Sequence, residues 1–166
     1  MSQAVAPLKG NPQFINMLMM FSNPVMGMLI GILFTAVLQS ASASVGILQA
    51  LANSGTITFA TAFPITLGIG VGAACPVLLS SIGSGKDGKR TALVYLLNDL
   101  FGMIFWASAF YAIHQIVQFP FMNQEMTPVH IALLNTVFRV ATVMLLFPCI
   151  KGIEKLVFRI IPETSH

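Results

Sequence analysis

Thr35-Ala36-Val37-Leu38-Gln39-Ser40-Ala41-Ser42-Ala43-Ser44 is the stretch that decides how this chain folds. It sets the amide of Gln39 and the hydroxyls of Thr35, Ser40, Ser42 and Ser44 among small and apolar residues. The flanks, Pro24 to Phe34 before it and Val45 to Leu51 after it, are apolar enough to enter a bilayer. The arm from Pro24 to Leu38 has 15 residues. At about 1.5 Å of rise per residue it falls short of a hydrocarbon core of about 30 Å. The second arm is shorter still and ends at the turn signal Asn53-Ser54-Gly55-Thr56. Residues 24–52 therefore predict two short arms meeting at a polar tip, a re-entrant hairpin or a broken helix. Backbone that leaves helical geometry at membrane depth must be buried in protein or line a wet cavity.

Composition supports a lipid solvent. Of 166 residues, 56% are hydrophobic and 8% charged, and the mean hydropathy is +0.85. Soluble domains carry about 25% charged residues to face water, so this chain reads as an all-α integral membrane protein. The net charge of +3 is placed as in a membrane protein: Lys86, Lys89 and Arg90 sit together, and Lys151, Lys155 and Arg159 follow the last apolar run. No basic stripe with interleaved aromatics offers a nucleic-acid surface. Cys75 and Cys149 belong to no CxxC or zinc spacing and are expected as small buried hydrophobes.

Residues 1–22 read as a leader or interfacial segment, in which the apolar run Phe14 to Phe21 is too short to span. That run suggests a truncated span, whereas the start at Met1 suggests a short natural chain. Pro24 suits a helix start, and Gly27 and Gly31 form a GxxxG that lets another helix approach. Residues 57–82 are long and apolar but carry Pro64, Pro76 and the glycines Gly68, Gly70 and Gly72, which predicts a second unwound segment. Ser84 to Arg90 is expected as a tight basic loop. Thr91 to Phe119 and Val129 to Ile150 are full-length spans, separated by a loop carrying Glu125 and no basic residue. Two to three full spans thus accompany the hairpin. Residues 151–166 form a basic amphipathic tail. The positive-inside rule puts residues 83–90 and the carboxyl terminus in the cytoplasm of a multi-pass plasma (inner) membrane protein.

Asp99 and Arg139 are the anomalies. Each lies well inside an apolar span, about 12 Å and about 16 Å from the basic ends at the helical rise. A charge at mid-membrane costs roughly 3 kcal/mol or more, so the pair either locks two helices together or serves a solute. Similar depths on antiparallel neighbours allow a direct ion pair. Asn98 beside Asp99, Tyr95 one turn earlier, and Asn135 four residues before Arg139 enlarge a polar wall that faces the Gln39 tip. His114 and His130 sit near span ends and read as hydrogen-bonded interfacial residues. No Ser/His/Asp set supports hydrolysis, and Gly68-x-Gly-x-Gly lacks the setting of a nucleotide fingerprint. An enzyme is not expected, nor is any cofactor.

Gly31-x-x-x-Thr35-Ala36-x-x-Gln39-Ser40-Ala41-Ser42-Ala43 resembles the QSSSA signature of the sodium/phosphate cotransporter family. The resemblance continues through Val45 to Ala52, Lys89-Arg90-x-Ala92, Asn135-Thr-Val-Phe138 and Leu145 to Pro148, across roughly residues 20–150. It implies that residues 23–150 form a single repeat, similar to the second of two inverted repeats. It also implies sodium-coupled phosphate symport with Na+ as coupling ion and inorganic phosphate as solute. Alternating access then requires a second copy or a missing first repeat. Thr35, Gln39, Ser40, Ser42 and Ser44 are the implied ligands, Asn98, Asp99, Asn135 and Arg139 a second wall, and Gly68, Gly70 and Gly72 the unwound segment. The chain departs from the family where Ala41 replaces the middle serine and where Gly70 to Ala73 lack an amide and a hydroxyl. Asp99 and Arg139 are candidates for the lost roles. A non-transporting membrane module, or a carrier of another small anion, are the alternative readings.

Overall fold

A computed structural model describes residues 23–162; the Phe14–Phe21 run and the last four residues of the tail lie outside them. Two short helices, α1 (Pro24–Leu38) and α2 (Ala41–Ala52), form the hairpin. They are followed by α3 (Phe59–Gly72), α4 (Ala74–Ser81), α5 (Lys86–Val117), α6 (Pro128–Leu146) and α7 (Ile150–Ile160). Among the described residues three stretches are long and apolar enough to cross a membrane: 59–81, 86–117 and 128–160.

The hairpin starts where the sequence places it. Asn23 caps α1, its side chain accepting from the Val25 amide at 3.1 Å, and Pro24 fills the first helical position. At the other end Gln39 takes a left-handed conformation with φ 51°, and the chain reverses. Ser40 then caps α2, its hydroxyl accepting from the Ala43 amide at 3.3 Å. The two arms meet at a polar tip, as expected.

The glycines carry a correction. Gly68, Gly70 and Gly72 are not unwound; α3 runs helically through all of them and is interrupted only at Ala73, just before α4. Gly68 and Gly72 serve close approach to α1, whereas a Cβ on Gly70 would meet nothing within 4 Å. A Cβ on Gly68 would collide with the Met28 carbonyl oxygen of α1, and one on Gly31 with the Ile65 carbonyl oxygen of α3. A Cβ on Gly72 would come within 2.6 Å of the Ile32 oxygen and 2.7 Å of Thr35 Cβ. Without water to take up freed backbone groups, the helix keeps its own hydrogen bonds and uses the glycines as a flat packing face.

These contacts set the direction of the hairpin. Residues 28–35 of α1 climb alongside residues 65–72 of α3, so the two helices run in parallel. The start of α3 is tied to the loop after α5: the Phe59 amide donates to the Gln124 carbonyl at 3.0 Å and the Met126 amide to the Ile57 carbonyl at 2.8 Å. Gln49 of α2 also reaches this end, donating to the Pro128 carbonyl at 3.1 Å. The hairpin therefore descends beside α3, turns near the level of Ala73, about 20 Å from the Phe59 end at the helical rise, and returns.

At the opposite end, Lys86, Lys89 and Arg90 belong to the first turns of α5 rather than to a loop. Asp87 in that first turn complements the helix dipole. Arg90 is buried and pairs with Asp87 at 2.9 Å. Its Nε and Nη2 both donate to the Ile161 carbonyl at 3.1 Å, where a cation suits the end of α7. Its guanidinium also covers the Phe158 ring at 4.4 Å. The basic stretch and the basic tail thus share one end, and Glu125 lies at the other. The cysteines depart from expectation: Cys75 is half-buried and Cys149 exposed.

Candidate functional site

Two cavities meet beneath the hairpin tip. The first, about 430 Å³, is lined by Ala41, Ser42 and Val45 of α2, Ala73, Tyr95 of α5, and Asn135 and Arg139 of α6. The second, about 240 Å³, lies between α3, α5 and α6; Thr66, Gly70, Asn98, Asp99 and Thr142 line it together with the same Tyr95, Asn135 and Arg139. Those three residues form the partition. Helical spacing explains the wall: Tyr95, Asn98, Asp99 and Gly102 recur at i, i+3, i+4 and i+7 on α5, and Asn135, Arg139 and Thr142 do so on α6.

Within the tip, the expected ligands divide by what they touch. Thr35 Oγ1 donates to Ser44 Oγ at 3.0 Å, and Ser44 Oγ donates to the Ser40 carbonyl at 3.1 Å. Both side chains are buried; they brace α1 against α2 and leave Ser44 with no hydrogen to offer elsewhere. Ser40 and Ser42 share a hydrogen bond at 3.2 Å. Ser42 is exposed and lines the larger cavity. Ala41, where the resemblance expects a serine, lines the same cavity. Gln39 is exposed at the tip and is not among the residues lining either cavity.

The start of α2 has a property that composition alone does not convey. The first amides of a helix have no intrahelical acceptor, and the end carries roughly half a positive charge. Ser40 satisfies the Ala43 amide. The α2 start, through Ala41 and Ser42, and the guanidinium of Arg139 border one cavity. Oriented N–H groups, a hydroxyl and a planar cation on one cavity suit a tetrahedral oxyanion.

The charged residues in the smaller cavity are Asp99 and Arg139. Among the described residues no direct ion pair joins them. Asp99 Oδ1 accepts from Asn98 Nδ2 at 3.4 Å, while Oδ2 is buried without a hydrogen-bond partner. Two lining residues, Thr66 and Thr142, escaped the sequence reading. Each donates to the carbonyl four residues earlier, at 2.8 and 2.7 Å, and Thr142 Oγ1 also accepts from Trp106 Nε1 at 3.0 Å. Thr142 was legible as the next step of the Asn135–Arg139 stripe; Thr66 had no such stripe to mark it. His114 accepts from the Phe119 amide at 3.1 Å, and His130 completes a capping box with Thr127, so both act as the expected hydrogen-bonded end residues.

Residues 1–127 match the family model described as Na+/Pi-cotransporter. That match covers the hairpin and α3 to α5 and stops before α6. Among curated proteins, the chain is 26% identical over 139 residues to the uncharacterized protein YqeW of Bacillus subtilis (strain 168), covering 81% of this chain and 43% of that protein. It is 30% identical over 95 residues to the human sodium-dependent phosphate transport protein 2B, covering 55% of this chain and 14% of that protein. The 2A protein of Rattus norvegicus is 33% identical over 86 residues, covering 50% and 14%. The chain spans less than half the length of these curated relatives. No solved structure matches it significantly.

Proposed function

This chain belongs to the Na+/Pi-cotransporter family, and from that premise we propose that it is one half of a sodium-coupled phosphate transporter. The other half is a second copy or a partner segment, since alternating access needs two repeats facing each other. One observation carries the reading: the start of α2 and Arg139 border the same cavity, at the turn of a hairpin that ends near Ala73, short of the end of the 59–81 stretch. Phosphate is held there by the Ala41 and Ser42 amides, the Ser42 hydroxyl, Asn135 and the Arg139 fork. Sodium, which takes hard oxygen ligands, is held at the tip by Gln39, Ser40 and Ser42, with Thr35 and Ser44 keeping the arms in register.

Gln39 supports this assignment from its backbone. A left-handed residue after a helix is ordinarily Gly, because a side chain there costs energy. Glutamine at φ 51° carries that cost, as Gln118 does at φ 48° after α5, and its amide stands exposed at the tip. Gln39→Gly is expected to raise stability by about 1 kcal/mol while sodium-driven phosphate uptake into proteoliposomes falls sharply. Ser42→Ala is expected to weaken phosphate half-saturation about tenfold, the loss of one hydrogen bond to a charged ligand, with stability unchanged. Thr35→Val is expected to do the reverse, lowering stability and leaving half-saturation near wild type. Full uptake by both the Gln39 and Ser42 variants would overturn the site, and uptake independent of phosphate or sodium would overturn the function.

Orientation belongs to the same proposal. Lys86 and Lys89 share an end with Lys151, Lys155 and Arg159 through the Arg90–Ile161 contact, so the positive-inside rule acts on them together. That end is cytoplasmic in the plasma membrane, and the hairpin opens from outside. In a chain with Cys75 and Cys149 replaced by alanine, a cysteine at Asn123 should react with an impermeant maleimide on intact cells, and one at Lys89 should not. The opposite pattern would invert the topology.

A further inference from the structure

Among the described residues, a large apolar groove lies away from the hairpin. It lies between α5 and the α6–α7 strand of chain, has a volume of about 920 Å³, and is lined by Phe101, Phe105 and Ser108 on one side and Gly152, Ile153 and Leu156 on the other. Its cause is local. Pro148 ends α6 in a single 3-10 turn, Phe147–Cys149, and α7 sets off anew from Ile150. The chain is then pulled back onto α5 at its far end, where Arg90 holds the Ile161 carbonyl. Held at both ends, α7 is a strap rather than a free interfacial helix, and the groove is the space under it.

We propose that this groove holds an acyl chain of an anionic phospholipid whose phosphate rests on Lys155 and Arg159. Charge and register argue for that occupant. Lys155 lies three residues after Gly152, and Arg159 three after Leu156 and seven after Gly152, so both flank the groove-facing stripe on the side toward the basic end. Both are exposed. The groove floor is almost wholly apolar, and its stretch of α5 from Phe101 to Ala109 is about 12 Å long. Basic side chains near an anionic headgroup attract it, each by roughly fivefold in affinity. The inference is independent of the transport reading.

The test uses the full chain purified in a neutral detergent, with phosphatidylglycerol or phosphatidylcholine of identical chains added and bound lipid counted by native mass spectrometry. Phosphatidylglycerol is expected to be retained about 25-fold better than phosphatidylcholine, and Lys155→Gln with Arg159→Gln is expected to erase that preference. Gly152→Phe should displace both lipids. A Cβ at Gly152 meets nothing within 4 Å, so the ring has room to enter the groove, and an unchanged melting temperature checks the fold. Lys89→Gln, outside the groove, should leave retention within about twofold of wild type. Equal retention of the two lipids by the wild type would overturn the proposal. So would undiminished binding by Gly152→Phe, or a loss for Lys89→Gln as large as for the rim pair, which would mean a diffuse basic surface.

Discussion

Arg139→Gln is expected to reduce sodium-driven phosphate uptake by about two orders of magnitude or more, the largest functional effect of any single substitution in this chain. Arg139 is the cation on both cavities beneath the tip. A bidentate guanidinium makes two charge-assisted hydrogen bonds to an oxyanion, each contributing about 1.5–3 kcal/mol, and together they account for a factor above a hundred. Lysine keeps the charge but not the fork, so Arg139→Lys should recover only part of the loss. The substitution also strips Asp99 of its neighbour. Asp99 has one buried oxygen without a partner, and an uncompensated carboxylate inside a span costs roughly 3 kcal/mol. Arg139→Gln should therefore lower thermal stability as well, and adding Asp99→Asn should restore stability while uptake stays lost. Rescue of both properties by the double change would mean that Arg139 serves only to balance Asp99. Uptake within threefold of wild type for Arg139→Gln would remove Arg139 from the anion site.

The largest structural effect is expected from Gly68→Val. The Cβ would collide with the Met28 carbonyl oxygen, and the Ile32 amide stands 3.0 Å from the same point. Both are helix backbone, which has no rotamer to give way. Overpacking a well-fitted contact costs about 1–3 kcal/mol when side chains absorb it, and here the two helices must separate. The hairpin should lose its seat on α3, seen as a much lower melting temperature or an aggregated elution profile in detergent. Gly70→Ala provides the comparison, because a Cβ there meets nothing within 4 Å. It should be at least as stable as wild type, gaining up to about 1 kcal/mol of helix propensity. Equal behaviour of the two variants would show that the α1–α3 contact does not hold the hairpin in place.

The glycines also show where sequence reading reached its limit. Three of them within five residues, near two prolines, argued for an unwound segment, because propensity in water penalises each one. Which glycines touch a partner helix is a property of the partner's position. Gly68 and Gly72 face α1, while Gly70 lines the smaller cavity. The polar tip was legible because its residues interrupt an apolar run locally: the α1 cap at Asn23, the reversal at Gln39 and the α2 cap at Ser40 are all short-range events. The Asp99–Arg139 wall was half legible. The spacing on each helix marked the polar stripes, but not that a shared cavity keeps the two charges apart.

The amino-acid sequence determined that this chain lives in a membrane, where its spans and its hairpin break fall, and which polar side chains are set at depth. Hydropathy, helical period and capping act over a few residues, so they are written in order along the chain. Only the tertiary structure decided that the hairpin runs beside α3 through glycine contacts and that Thr35 and Ser44 bond each other. It likewise decided that Ser42 shares a cavity with Arg139 while Gln39 stands apart, and that α7 is strapped to Arg90. Those outcomes depend on which helix faces meet, and whether the partners stand 9 residues apart, as Thr35 and Ser44 do, or 71, as Arg90 and Ile161 do, the meeting leaves no periodic trace in either segment alone.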